Sequence, residues 1–403
     1  MKYVSDAECD VCVVGLGFVG LPAAIMIARG GKKVIGVDID DKLVGRLQSG
    51  DCPINEAGVA AVFHDAATRR HFTAQKTVPV ADAYVIAVPT PLHMRKKVAH
   101  LEALEAATAS IVSKLRKGAL VIVESTIPPL CCDETIKPIL ERSGLKVGTD
   151  LLLAHCPERL YPGNVADEII NNDRIIGGCN AAANERCIEI YGTFVKGSLL
   201  PTDMLTAEFC KLMENTYRDV NIALVNELSM VAERIGTSID AAIELANRHP
   251  RVSLLKPGIG VGGHCIPIDP WFIAEVAPEQ CELIPAARRI NDRMPHVIAG
   301  RIRRAVAGVA DPLIGIYGVT YKPDVDDQRE SPAWEIIKLL KEDGYRVDVA
   351  DPVAHVGEAR TLHELARGKD ALVVLVPHEG ARKELETRDA VVKALRTPIL
   401  ITF

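Results

Sequence analysis

Cys265 lies in the segment Gly258-Ile259-Gly260-Val261-Gly262-Gly263-His264-Cys265-Ile266-Pro267-Ile268-Asp269-Pro270, a thiol preceded by four glycines and followed four residues on by a carboxylate. Glycines let a backbone pass close to a bulky ligand and adopt positive φ. A thiol presented there is placed to attack a bound electrophile. The plainer alternative is a glycine loop around a small buried cysteine. Lys211 and Asn215 stand at i and i+4 of a helical run and share a face. They read either as a buried ammonium beside an amide or as a solvated polar stripe. Glu158 follows the apolar run Leu151–Ala154, and Thr90 and Thr126 follow the runs 83–88 and 120–123. Polar residues just past such strands lie where doubly wound sheets bind ligands. For the two threonines, capping of the next helix is the competing reading; for Glu158 it is simple solvation.

The elements that would position these groups are legible around them. Asp10-Val11-Cys12-Val13-Val14 is a short β-type run, followed at once by Gly15-Leu16-Gly17-Phe18-Val19-Gly20 and a helical pattern from Leu21 to Arg29. In this fingerprint Gly15 permits the tight turn, Gly17 admits a pyrophosphate, and Gly20 allows close helix–strand packing. The helix N-terminus supplies N–H groups and positive dipole to phosphate. A second strand, Lys33–Asp38, ends in an acid at the expected distance. That carboxylate would bind ribose hydroxyls and repel a 2′-phosphate, which favours NAD over NADP. Near-continuous apolar strands with helical segments between them predict a parallel sheet covered on both faces.

From about Asp203 to Ile235 neither proline nor glycine interrupts the chain, and Gly236 ends the run. Leu205, Phe209, Leu212, Met213, Ile222, Val225, Leu228 and Val231 recur at helical spacing, which predicts one helix of roughly 45 Å. Three later strands, beginning at Leu313, Arg346 and Ala371, echo the first half: a glycine at one strand end, an aspartate at the next, Val-Pro at the third. Gly318-Val319-Thr320-Tyr321-Lys322-Pro323 replaces the glycine fingerprint, so a second dinucleotide is not expected there. Lys322 and Arg329 suggest an anionic ligand instead.

Composition sets outer limits. At 403 residues two or three domains are expected. With 48% hydrophobic and 25% charged residues the chain has globular composition. A net charge of −6, with no basic stripe, speaks against nucleic acid as a partner. No stretch approaches the ~20 apolar residues of a membrane span, and no signal peptide is read in the first residues. Eleven scattered cysteines, an odd number, fit reduced thiols and a cytoplasmic setting better than a disulfide framework or a metal site.

Taken together, the segments Gly15–Gly20, Val88–Pro91, Glu124–Pro128, Cys156–Gly163, Glu208–Asn215, Pro257–Pro270 and Tyr321–Ser331 resemble the UDP-glucose/GDP-mannose dehydrogenase family. They occur in the family's order along almost the whole chain. The resemblance implies an α/β protein with two Rossmann-like doubly wound parallel-sheet domains joined by a central helical region with one long helix. It places an NAD-binding domain at about 1–200, a helical dimerisation region at 201–300 and a UDP-sugar-binding domain at 301–403. It implies oxidation of a sugar C6 alcohol to a carboxylate with two NAD⁺. Cys265 would be the nucleophile. Lys211 and Asn215 would stabilise developing negative charge, Asp269 and Thr126 would handle water, and Glu158 would be the base for thioester hydrolysis. Gly15, Gly17, Phe18, Val19, Gly20, Asp38, Thr90 and Thr126 would contact NAD. Glu158, Arg159, Lys211, Asn215, Gly262, His264, Lys322 and Arg329 would contact the UDP-sugar, with Arg251 reaching a ligand across a homodimer. Within the family, Asn247–Val252 and Gly263–Phe272 look most like members acting on UDP-N-acetylmannosamine, in polysaccharide biosynthesis. Members acting on UDP-N-acetylglucosamine are the runner-up, and those acting on UDP-glucose fit less well, since they usually carry a small residue at the place of His264. A two-electron hydroxyacid dehydrogenase would need no thiol. A catalytically silent nucleotide-sugar binder would not need Cys265, Lys211, Asn215 and Asp269 together.

Overall fold

The computed structural model describes residues 7–54, 56, 58–160 and 163–403. Tyr161 and Pro162, within the Cys156–Gly163 segment, lie outside the described residues. The chain packs as two units. The first runs to Glu214 and includes Trp271–Val276; the second holds Asn215–Pro270 and Ala277–Phe403.

In the first unit the apolar runs become β1 (Cys9–Val14), β2 (Val34–Val37), β3 (Phe72–Gln75), β4 (Ala81–Ile86), β5 (Leu120–Val123), β6 (Leu152–His155), β7 (Arg174–Gly178) and β8 (Leu199–Asp203). The sheet order is β8-β7-β6-β5-β4-β1-β2-β3. The stretch β3-β2-β1-β4-β5-β6 is wholly parallel and has the order of a dinucleotide-binding sheet. Strand β7 joins β6 antiparallel, and β8 joins β7 in parallel, an extension that the sequence pattern does not announce. Two apolar layers cover the faces, one around Ile25, Ile27 and Ile122, the other around Tyr84, Val121 and Ile136. Cys9 and Cys12 stand at C-x-x-C spacing, the one feature of the cysteine set that a metal site would use. Both are buried free thiols, and burial pushes Cys9 up to about 12. No cluster of metal-ligating side chains occurs among the described residues.

The second unit carries a four-stranded parallel sheet of order β10-β9-β11-β12, with β9 at Leu313–Tyr317, β10 at Arg346–Ala350, β11 at Ala371–Val374 and β12 at Ile399–Thr402. The long helix extends over Met204–Ile235, 32 residues, and the division between the units falls inside it. Gly236, at φ 76°, ends it. Its buried face mixes apolar residues, Ala207, Leu212, Ala223 and Val225, with polar ones, and part of the apolar periodicity faces outward. Lys211, Asn215, Asp219 and Asn226 are buried, whereas Phe209, Met213, Leu228 and Val231 are exposed. The reading of Lys211 and Asn215 as a solvated stripe is therefore wrong. No helix among the described residues is long and apolar enough to cross a membrane.

Candidate active site

The glycine turn has the geometry its spacing predicts. Gly15 has φ 93°, and a Cβ there would stand 2.4 Å from the Ala87 carbonyl oxygen. A Cβ on Gly20 would stand 1.9 Å from the Gly15 carbonyl oxygen, so helix α1 (Gly20–Arg29) can approach the turn only with glycine at that place. At Gly17 a Cβ would point into open space, the side from which a phosphate can approach. No side chain caps the start of α1; the Leu21 N–H donates to the Gly17 carbonyl at 3.1 Å and Pro22 has no N–H, so an anion would meet the N–H groups of the turn itself. Asp38 accepts the Leu16 N–H at 2.8 Å and the Asp40 N–H at 2.9 Å, so its carboxylate is held at the turn. Phe18 is exposed at 39% and Val19 is half-buried. These residues fit a dinucleotide.

Neither threonine caps a helix. Thr90 donates its hydroxyl to the Thr126 carbonyl at 2.6 Å and leads into a short hairpin, Leu92–His93 with Val98–Ala99. After Thr126 come two prolines, and the next helical turn, Cys132–Ile136, is preceded by Cys131. The Thr90–Thr126 bond ties the ends of β4 and β5 together, as does Ser125, whose hydroxyl donates to the Val88 carbonyl at 2.8 Å.

Glu158 is not a solvated loop acid. Its carboxylate pairs with Arg174 and accepts the Arg159 N–H at 2.7 Å. Arg174 also pairs with Glu124 at 3.0 Å, and the Tyr191 hydroxyl donates to the same Glu124 oxygen at 2.6 Å. Burial pushes the Glu124 carboxyl above the ordinary carboxylate range; Arg174 opposes that rise and the Glu158 charge adds to it. Arg159 pairs with Glu214 at 2.9 Å. Lys211 is buried in this unit, and Glu208, one turn earlier, accepts the N–H groups of Leu130 and Cys132 at 2.7 and 2.8 Å.

In the second unit the cysteine loop is built against the segment 321–332. A Cβ on Gly262 would stand 2.5 Å from the Glu330 carbonyl oxygen, and Gly263, at φ 84°, lies over the Tyr321 ring. Gly263 N–H donates to the Arg329 carbonyl at 3.3 Å. Cys265 is exposed, the one exposed thiol among eleven free cysteines, which removes the buried-cysteine alternative. Its carbonyl accepts the Asp269 N–H at 2.8 Å. Asp269 is buried and accepts the Asn215 amide at 2.6 Å. The start of the loop is pinned by Asn226, which accepts the Gly258 N–H at 2.9 Å and donates to Asn291 at 2.9 Å. Asn291 in turn donates to Asp219 at 2.8 Å.

His264 and Arg329 meet through Asp327, at 3.2 and 2.7 Å. Partial burial works to raise the Asp327 carboxyl, but the Arg329 bonds and the His264 charge outweigh it and hold it at about 2. Lys322 is half-buried, and Arg251 is exposed beside His249. Sequence reasoning assigned no role to Asp327, Arg174, Tyr191 or Asn226. Asp327 was findable as an acid two residues before Arg329, and Arg174 as a cation heading an apolar strand.

The echo between the halves is geometric. Gly318, at φ 87°, would put a Cβ 2.3 Å from the Val376 carbonyl oxygen, as Gly15 does against Ala87. Asp351 accepts the Val319 N–H at 2.8 Å, as Asp38 does that of Leu16. Asp351 is fully buried and engaged by His378 at 3.0 Å, so it offers nothing to a ribose.

The dinucleotide turn of the first unit is that of a nucleotide-dependent oxidoreductase, and the second unit carries an exposed thiol on a glycine loop. The chain belongs to the UDP-glucose/GDP-mannose dehydrogenase family: the family's NAD binding domain matches residues 9–195, its central domain 205–293 and its UDP binding domain 315–401. It is an NAD-dependent UDP-sugar dehydrogenase. The chain is 44% identical to a UDP-N-acetyl-D-mannosamine dehydrogenase of Methanococcus maripaludis over 376 residues, 92% of this chain and 86% of that protein. It is 41% identical to an NDP-N-acetyl-D-galactosaminuronic acid dehydrogenase of Ralstonia nicotianae, over 93% of this chain and 92% of that one. The solved structure of a UDP-D-ManNAc dehydrogenase from Pyrococcus horikoshii superposes with a TM-score of 0.91 at 37% identity, covering 98% of this chain and 94% of the other.

Proposed function

We propose that this protein oxidises the C6 alcohol of UDP-N-acetylmannosamine to the carboxylate, through a thiohemiacetal and a thioester on Cys265. The observation that carries the reading is the exposed thiol on its glycine loop, joined by the buried Asn215–Asp269 pair. Similarity to UDP-N-acetyl-D-mannosamine dehydrogenases supports the choice of sugar.

Two NAD⁺, bound one after the other, would each supply the acceptor for one hydride, the first for alcohol to aldehyde and the second for thiohemiacetal to thioester. Gly15, Gly17, Phe18, Val19, Gly20, Asp38, Thr90 and Thr126 would hold it. The thiolate of Cys265 adds to the aldehyde carbon, and Lys211 and Asn215 stabilise the oxyanion that forms. Asp269 holds the Asn215 amide and, with Thr126, orders water. Glu158 takes a proton from the water that attacks the thioester; the carbon–sulfur bond then breaks and the thiolate returns. Lys322, Arg329, His264, Gly262 and Arg159 hold the UDP-sugar, and the three functional parts divide at about residues 200 and 300.

A panel of UDP-sugars with NADH counted per sugar tests this reading. UDP-N-acetylmannosamine is expected to be the best substrate, UDP-N-acetylglucosamine second and UDP-glucose poor, with two NADH per sugar and no free aldehyde. A preference for UDP-glucose overturns the choice of sugar. One NADH with accumulating aldehyde overturns the covalent scheme, and binding without NADH leaves a nucleotide-sugar binder.

The homodimer is part of the same proposal. Tyr217, Leu224, Leu228, Val231 and Ile235 form an exposed apolar stripe at helical spacing on the long helix. Sedimentation is expected to show a dimer, and Leu224→Lys with Leu228→Lys a monomer. An unchanged dimer in that variant places the contact elsewhere.

A further inference from the structure

The cluster around Arg174 has no part in the reaction as written, yet it holds a group that does. The Arg174 side chain is 4% exposed, that of Glu124 0% and that of Glu158 10%. One guanidinium is thus shared by two carboxylates, with the Arg174 head 4.3 Å over the Tyr191 ring. Buried ion clusters of this kind are often no more stable than apolar side chains of the same volume. Stability alone does not account for placing three charges here.

The geometry is that of an aimed carboxylate. The planar fork of arginine has fixed donor directions. Glu124 takes one arm, and the Tyr191 hydroxyl and ring fix Glu124 and the fork in turn. The other arm then has a set direction, and Glu158 meets it. The second Glu158 oxygen is set by the Arg159 N–H. Both oxygens are therefore oriented, and each keeps a lone pair for water.

We propose that Arg174, anchored by Glu124 and Tyr191, is the positioning residue that aims Glu158 at the water hydrolysing the Cys265 thioester. The inference rests on the role given to Glu158 above. In that step water oxygen adds to the thioester carbon, its proton goes to Glu158, and the sulfur leaves as thiolate. Arg174 acts through Glu158 and takes no proton itself.

Rapid mixing of enzyme, NAD⁺ and UDP-N-acetylmannosamine, with NADH followed by absorbance and covalent adducts by intact mass, tests it. Arg174→Lys keeps the charge but loses the fork; Glu124→Gln keeps the shape but loses the anchor's charge. Each is expected to release two NADH per site at the wild-type rate and then turn over roughly ten-fold or more slowly, with acyl-enzyme accumulating. KM for NAD⁺ should not move. Glu158→Gln is the reference and should stall in the same way. If Glu158→Gln stalls and both other variants hydrolyse the thioester at the wild-type rate, the inference fails and the reading stands. If both variants slow every step equally with no adduct, Arg174 is only structural and the inference fails. If Glu158→Gln forms no adduct, the reading fails and the inference with it. Should Arg174→Lys not fold, Glu124→Gln and Tyr191→Phe decide by the same readout.

Discussion

Cys265→Ser is expected to abolish uronate formation, a loss on the order of 10⁴ or more, with the UDP-sugar bound within a few-fold of wild type. A thiol is a few per cent thiolate at neutral pH and strongly nucleophilic; a serine hydroxyl is neither without a dedicated base. The side chain stands exposed on a loop whose glycines pack on Tyr321, Glu330 and Pro332, so the substitution should not disturb folding. NADH should fall to at most one per sugar, and intact mass should show no adduct. A serine variant making uronate near the wild-type rate would return Cys265 to a structural role.

Lys211→Met is the second large effect. The methionine keeps length and apolar stem while removing the charge. Lys211 is buried on the polar face of the long helix, and in the proposed reaction its ammonium faces the negative charge that develops at C6. Loss of one oxyanion-stabilising group costs roughly 10²–10³ in kcat. KM for NAD⁺ should hardly change, and both oxidations should slow together. A kcat within a few-fold of wild type, in a variant with unchanged melting temperature, would make Lys211 a structural residue.

The parts of the fold legible in the sequence are those written locally. Strand β5 matches its apolar run residue for residue, Leu120–Val123, because a strand buried on both faces has no polar interruption to blur it. Gly15 and Gly20 are legible because backbone stands within van der Waals range of both. What stayed hidden depends on contacts between distant positions. Glu124, Glu158 and Arg174 meet from three strand ends, and no spacing within a short window encodes that. For the long helix the sequence showed the element but left open which face is covered. Periodicity reports that a helix has two unlike faces but not which one the fold covers. For Thr90 the hairpin that follows removes the cap reading, which no local pattern announced.

The placement of Cys265 has a consequence for how two cycles of oxidation are sequenced. The thiol, its glycine loop and the loop of Lys322 and Arg329 belong to one unit, and the fingerprint Gly15–Gly20 to the other. In the proposed reaction two of the tethers on the half-oxidised sugar, Lys322 with Arg329 at its nucleotide and the Cys265 sulfur at C6, belong to the second unit. A spent nicotinamide can depart and a fresh one arrive without either tether being released. On that proposal the covalent intermediate has a purpose beyond reactivity: custody of the aldehyde while one nicotinamide is exchanged for another.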